Sequence, residues 1–366
     1  MLEIDQEALV ALGLNPGLVA RAAQLGADAE AVDEGVTRLG RVIEVHREAV
    51  VVDNGGAAYG GRASPRLFRS LHDEGDALAV GDWVFASVAR NGQCWVTTRV
   101  PPHSAISRRD ADGRSHRVVS NVDVALLVMG LDDDFNPRRL ERFLALAWDE
   151  SIAKVVVLSK ADVVDSPQML VERCTLLRGR LPSHVPIVAL NATDASAAVV
   201  LRAYLRPGLT LVLLGSSGAG KSTLTNTLLG VPVQDTGVVR AHDSRGKHTT
   251  TSRSLHRLPG GACIIDTPGL RTLRPDADEA ALAASFADID ALAARCRFRD
   301  CRHGGEPGCA VASGIGPDRL RNYHKLLREL RRDTLTPLDR QKQVAQWKSR
   351  GKAAKERMRQ KRDGTA

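Results

Sequence analysis

An apolar run at residues 211–214 passes into Gly215-Ser216-Ser217-Gly218-Ala219-Gly220-Lys221-Ser222-Thr223, and a helical pattern follows to Leu229. This is G-x-x-x-x-G-K-[ST] in its strand, loop and helix setting. Glycines let successive backbone N–H groups curl around phosphate oxygens, and the helix N-terminus adds free donors and a favourable dipole. Lys221 is placed to reach the β- and γ-phosphates, and the Ser222 hydroxyl to hold Mg²⁺. Few other features limit a chain so narrowly, because the loop demands a parallel α/β sheet behind it.

The second half of such a site follows about 45 residues on, at Ile264-Ile265-Asp266-Thr267-Pro268-Gly269. Asp266, at a strand end, is the Mg²⁺-side carboxylate, and the Gly269 N–H meets the γ-phosphate. Between them lies Arg245-Gly246-Lys247-His248-Thr249-Thr250-Thr251. This is the place for a first switch loop, with Thr250 ahead of Thr249 as the residue on Mg²⁺ and γ-phosphate. Leu270 stands where many GTPases carry a water-orienting Gln. Leucine cannot orient water, so His248 is the candidate for that task, and slow hydrolysis accelerated by a partner is expected.

The base is read elsewhere. Val155-Val156-Val157-Leu158 leads into Ser159-Lys160-Ala161-Asp162. A fixed carboxylate at Asp162 can accept both N1–H and N2–H of guanine, which selects GTP over ATP. The usual Asn is Ser159 here, a departure expected to affect affinity more than specificity. About 30 residues on, residues 186–190 end in Asn191-Ala192-Thr193, positioned to meet the guanine O6 by backbone N–H. These base-reading elements precede the phosphate loop, so the G domain is circularly permuted, which a fold with neighbouring termini tolerates.

Cys296, Cys301, His303 and Cys309 crowd three of the six cysteines into one short stretch. Three thiols and an imidazole at this spacing match a closed, structural Cys₃His zinc set, one ion per chain. No Cys-x-x-Cys is present, which argues against redox chemistry. Acidic Met1-Leu2-Glu3-Ile4-Asp5 is unlike a secretory leader, and no run approaches the ~18 apolar residues of a membrane span. A cytoplasmic protein without membrane association is expected.

Residues 338–366 carry ten Lys/Arg against three Asp/Glu, a net of +7 out of the chain's +8. A basic tail on a near-neutral body suits a polyanion such as nucleic acid. Upstream, residues 40–45, 49–53, 80–88 and 94–100 are short β-branched runs separated by Asn-Gly and Gly-Gly turns. They predict a small barrel, with an oligonucleotide-binding (OB) fold one candidate and an SH3-like barrel another. Further strands are expected at 122–129, 154–158, 186–190, 210–214 and 262–265, and helices at 277–294 and 317–332.

Taken together, these features resemble the ribosome small-subunit-dependent GTPase A family, of the YjeQ/RsgA type, from about residue 40 to 329. The specific pieces are Val80-Gly81-Asp82-Trp83-Val84, Ser120-Asn121-Val122-Asp123, Arg138-Arg139-Leu140-Glu141-Arg142, His248-Thr249-Thr250-Thr251 and Cys296-Arg297-Phe298-Arg299-Asp300-Cys301-Arg302-His303 with Glu306-Pro307-Gly308-Cys309. Ser159 and Asn191 depart from its commonest pattern. The resemblance implies a multidomain α/β protein: an OB-fold barrel (35–104), a permuted GTPase domain (105–275) and a helical zinc-binding domain (276–336). It leaves unassigned residues 1–34, whose Ala, Leu and acidic content reads as a helical extension, and 337–366 form the basic tail. It further implies a monomer that binds GTP and GDP, the 30S subunit and 16S rRNA, with hydrolysis stimulated by that subunit late in its maturation. Aromatics are only 4% of the chain, so RNA contact is expected through phosphate and shape at Arg62, Arg66, Arg69, Arg108, Arg109, Arg114 and Arg117. Two other readings stand beside it: a nucleotide-gated RNA-binding scaffold with little catalysis, and an ATP-using P-loop protein.

Overall fold

The computed structural model describes residues 6–26, 36–46, 49–89, 93–109, 115–232, 253–267, 274–275 and 279–333. Two N-terminal helices, α1 (Gln6–Val10) and α2 (Pro16–Gly26), come first. Their Leu9, Leu12, Leu14, Leu18 and Ala22 are buried in the largest apolar cluster of the molecule, so the segment is part of the core.

A barrel follows from β1 (Val36–Val45), β2 (Val50–Asp53), β3 (Ala58–Ala63), α3 (Pro65–Asp73), β4 (Trp83–Val88) and β5 (Cys94–Arg99). The neighbour order β1-β2-β3-β5-β4 closes through β1–β4. Only β3 and β5 run parallel, as the helix inserted between β3 and β4 requires, and the result is a closed five-strand, OB-like barrel. Val42, Val50, Val52, Val84, Ala86 and Val96 fill it. Two expectations change here. Gly60-Gly61 is not a turn but lies within β3, where a Cβ on Gly61 would meet the Cys94 carbonyl oxygen at 2.8 Å. The strand expected from Val80 begins at Trp83, because Asp82 turns back to accept the Ala79 N–H at 2.8 Å.

A hairpin of β6 (Ala105–Arg109) and β7 (Ser115–Ser120) links the barrel to the second layer system. There β8 (Val124–Gly130), α4 (Pro137–Leu146), β9 (Ala153–Ser159), α5 (Pro167–Arg178), β10 (Ile187–Ala189), α6 (Ser196–Val200), β11 (Thr210–Gly215) and α7 (Lys221–Leu229) alternate along the chain. They are followed by β12 (Ser254–Arg257), β13 (Cys263–Asp266) and β14 (Arg274–Pro275), the last paired with β6. The sheet order is β10-β9-β8-β11-β13-β12, parallel except for β12. Its parallel strands are predominantly apolar because both faces are covered. Leu127, Val156, Val212 and Ile265 face one cluster, while Leu126, Val155, Leu211 and Ile264 face the other.

The two sheets are continuous. Glu44 of β1 pairs with Ser254 of β12, and Ser254 pairs on its other side with Asp266 of β13. Arg41 of β1 reinforces the joint from within. Fully buried, it donates to the Leu12 carbonyl, to Thr210 Oγ1 at 2.9 Å and to the Asn121 carbonyl at 3.0 Å, with its guanidinium 5.4 Å from the Trp83 ring centre.

The C-terminal part is helical: α8 (Glu279–Ser285), α9 (Ala287–Ala293), α10 (Ala310–Gly314) and α11 (Pro317–Asp333). The single helix expected at 277–294 is broken at Phe286, which turns wholly into a small core with Leu282, Ile289, Val311 and Leu326. Among the described residues no helix is long and apolar enough to cross a membrane.

Candidate nucleotide and metal sites

The phosphate loop joins β11 to α7 at the centre of the sheet, beside β8, which belongs to the other half of the strand order. Ligands of open α/β sheets bind at such a switch point, off the carboxyl ends of the strands. Gly215 is required by close packing: a Cβ there would lie 2.3 Å from the Val128 carbonyl oxygen. Ser217 and Gly218 form an exposed crest, while Ala219 is buried beneath it. Lys221 folds over the loop, its Nζ donating to the Gly215 carbonyl at 2.9 Å and the Ser216 carbonyl at 2.5 Å. Ser222 and Thr223 open α7 at partly exposed positions.

Asp266 ends β13, next to β11. Its Oδ2 is buried and has no hydrogen-bond partner among the described residues. Burial pushes its pKa up, and the nearby Lys221 charge opposes this. A buried carboxylate oxygen with no donor fits a site that receives a hydrated cation. Thr267 anchors the following backbone by donating Oγ1–H to the Leu213 carbonyl at 2.7 Å.

The elements expected to read the base converge on the same loop. Ser159, buried at the end of β9, donates its hydroxyl to the Ala219 carbonyl at 2.6 Å. Ser159 thus ties the end of β9 to the phosphate loop. Lys160 sits in the left-handed region at φ 58°, and its ammonium pairs with Asp132 at 2.5 Å. This bend sends the chain into a short turn, Ala161–Val163, that exposes Asp162. Asn191 Oδ1 accepts from the Thr193 N–H at 2.9 Å, shaping the second loop. Ala192 is buried there, and its carbonyl takes the Thr227 hydroxyl of α7 at 2.6 Å. A Cβ placed on Gly220 would lie 3.4 Å from Ser159 Oγ and 3.7 Å from Ala192 Cβ, so both base loops meet the phosphate loop at one point. His248, Thr249, Thr250, Gly269, Leu270 and Arg114 lie outside the described residues, as does the basic tail.

The Cys296, Cys301, His303 and Cys309 ligand atoms all lie within 4.8 Å of one another. Cys296 Sγ is 3.9 Å from Cys309 Sγ, and His303 Nδ1 is 3.6 and 3.5 Å from these two sulfurs. A tetrahedral ion with metal–sulfur bonds of about 2.3 Å needs sulfurs about 3.8 Å apart. The set is therefore pre-shaped as a metal site. The Val311 backbone N–H, foremost among several donors, draws the Cys296 thiol pKa below its ordinary value, which favours the ligating thiolate. Glu306 braces the intervening turn by accepting N–H groups from Arg302 at 3.1 Å and Gly304 at 2.7 Å.

This C-terminal unit is fixed to the nucleotide domain through α4. Glu141, 1% exposed, accepts from Arg180, just past the end of α5, at 2.8 Å, from Arg319 of α11 at 2.5 Å and from Asn322 of α11. Arg319 continues to Asp288 of α9 at 2.6 and 2.7 Å. Arg138 and Arg180 both pair with Asp318, and Arg142 with Glu329.

Comparison with known proteins follows the same outline. A profile of the RsgA GTPase family matches residues 100–275. The small ribosomal subunit biogenesis GTPase RsgA of Xanthomonas oryzae pv. oryzae strain PXO99A is 44% identical over 294 residues, 78% of this chain and 79% of its own. The chain belongs to the RsgA GTPase family. Its namesake in Xanthomonas axonopodis pv. citri is 43% identical over 298 residues, covering 79% and 80% of the two chains. Among solved structures, YjeQ from Thermotoga maritima superposes with a TM-score of 0.58 at 24% identity, covering 80% of this chain and 98% of that one. YloQ, described as a circularly permuted GTPase, gives 0.55 at 19%, covering 84% and 99%. At those identities the likeness is one of fold, and it is the permuted fold read from the order of motifs.

Two residues of this RsgA-family site carry no sequence motif. Asp132 and Asp134 contact Lys160 and Ser216. The available signal was a run of aspartates off the carboxyl end of β8, beside the strand that leads into the phosphate loop.

Proposed function

We propose that this chain hydrolyses GTP to GDP and phosphate and acts in the maturation of the small ribosomal subunit. The carrying observation is the Ser159–Ala219 hydrogen bond, which joins the turn bearing Asp162 to the phosphate loop and gives guanine and phosphates one receptacle. In this reading Asp162 discriminates guanine, with Ser159, Lys160, Asn191 and Ala192 shaping its pocket. Residues 215–223 cradle the phosphates, and Lys221 neutralises charge as it develops on the transferred group. Ser222, Thr250 and Asp266 would hold Mg²⁺, which when bound neutralises the β- and γ-oxygens. The Gly269 N–H meets the γ-phosphate, and His248 orients water in place of the absent Gln.

The Cys₃His set is assigned to structural zinc, since four protein ligands leave no open position. The chain divides as helical extension, barrel, GTPase domain, metal-binding domain and tail at the boundaries given above. It works as a cytoplasmic monomer, with the arginines of α3 and the β6–β7 hairpin, and the basic tail, meeting 16S rRNA. A multiple-turnover GTPase assay with and without 30S subunits tests the proposal. Stimulation by the subunit is expected, and its absence would favour a nucleotide-gated scaffold. Competition by ATP at equal affinity would remove the guanine assignment.

A further inference from the structure

We propose that Asp134, in the turn after β8, is a positioning residue that holds the phosphate loop in its nucleotide-accepting shape through the Ser216 hydroxyl. The proposal rests on the nucleotide-site reading above.

Ser216 is the second residue of the loop, a place where the motif asks for no particular side chain. Here its hydroxyl lies 2.6 Å from both oxygens of Asp134. A hydroxyl has one proton to donate, and equal approach to both oxygens places it on the axis of the carboxyl group, able to engage either one. Asp134 is itself fixed. Arg139, in the first turns of α4, pairs with Oδ1, and the Gly130 N–H donates to Oδ2 at 3.2 Å. Only 12% of the side chain is exposed, which limits competition from water. The arginine neutralises the carboxylate, so a negative group can stand behind a phosphate loop without repelling its ligand.

The same turn reaches the base-reading side. Asp132 Oδ1 accepts the Asp134 N–H at 3.2 Å, and its Oδ2 pairs with Lys160 at 2.5 Å. Partial burial opposes ionisation of Asp132, yet the Lys160 hydrogen bond draws its pKa below the ordinary value. One turn thus ties residue 216 of the phosphate loop to residue 160 of the base loop. Neither contact involves the switch segments that follow Ser222 and Asp266. The support it gives is therefore the same for GDP and GTP.

The test is a titration of full-length protein with a fluorescent GDP and a non-hydrolysable GTP analogue. Asp134→Ala is expected to weaken both by about tenfold, the scale of one charge-assisted hydrogen bond. In hydrolysis assays the loss falls on KM more than on kcat. Ser216→Ala is expected to weaken both similarly, and the double variant no more than either single one. Asp134→Asn keeps one acceptor oxygen and recovers most of the affinity. Melting curves of the nucleotide-free variants identify any that do not fold, and Asp134→Asn and Ser216→Ala then carry the comparison. Affinities of Asp134→Ala or Ser216→Ala within twofold of wild type, losses that multiply in the double variant, or a loss confined to the GTP analogue would each overturn the proposal. Failure of the wild type to bind either nucleotide would instead overturn the nucleotide-site reading beneath it.

Discussion

Ser159 and Ala219 stand 60 residues apart in the chain and 2.6 Å apart in space, and their hydrogen bond joins the loop proposed to read the base to the phosphate loop. The donor is a short side chain on a buried strand end, so the contact leaves little freedom to either loop.

Ser159→Ala removes that donor and strands the Ala219 carbonyl. Loss of a buried hydrogen bond costs about 1 kcal/mol or somewhat more, so GDP and GTP affinities should both fall roughly five- to tenfold. Ser159→Asn should bind within a few-fold of wild type. Fluorescent-nucleotide titration measures both, and undiminished affinity in the alanine variant would show the brace to be dispensable.

Asp162→Asn exchanges a double acceptor for a mixed donor and acceptor. GTP binding should weaken while xanthosine triphosphate, which carries a carbonyl in place of the 2-amino group, gains. Competition between the two nucleotides reads this directly.

Asp266 is buried with one oxygen unpaired among the described residues, an arrangement that costs stability in the free protein. Asp266→Asn should raise the Tm of nucleotide-free protein by about 2–4 °C. The same variant should lose Mg²⁺-dependent GTP hydrolysis. Calorimetry and an assay on one preparation check both halves, and a lower Tm would contradict the account of its burial.

Glu141→Ala leaves buried donors from Arg180, Arg319 and Asn322 without an acceptor. Breaking a buried charge network from one side costs about 3–5 kcal/mol. Denaturant melts should show the C-terminal helices releasing before the sheet, and single-step unfolding at the wild-type midpoint would refute the anchoring role.

The pairs of Asp318 with Arg138 and Arg180 give a pH signature, their hydrogen bonds lowering its pKa to about 2 despite some desolvation. A folded pKa below the unfolded one means the stabilising contribution is complete above the ordinary carboxylate range. It is lost as pH falls from about 4 through about 2. Asp318→Asn should therefore flatten the acid limb of the stability curve in that window and leave stability above it independent of pH from this source. An unchanged acid limb would sink the assignment.

Much of this was legible beforehand. The parallel strands are long apolar runs because both sheet faces are covered, and the spacing of Cys296, Cys301, His303 and Cys309 by itself announced that these side chains gather. Strand β3 was not legible, because Gly60-Gly61 carries a turn's composition while serving a close strand crossing. The β6–β7 hairpin was missed because serine and arginine dominate it. Phe286 breaks a helix that local propensity would continue, drawn inward by a core formed from distant residues. The Asp134–Ser216 contact spans 82 residues, and the run of aspartates after β8 does not by itself say which partner it meets. The N-terminal helices were read as an appendage, since only the fold reveals that Arg41 and the main core need them.

The pairing of Glu44, Ser254 and Asp266 across β1, β12 and β13 bears on how the parts can move. A change of pattern near residue 104 separates barrel from nucleotide domain on paper, yet sheet pairing crosses that line at Glu44 and Ser254. Any torque on the barrel is delivered to β12, one strand away from the carboxylate of Asp266. The two units share a stiff axle rather than a tether, and a force applied to one is felt by the other at the level of individual backbone hydrogen bonds.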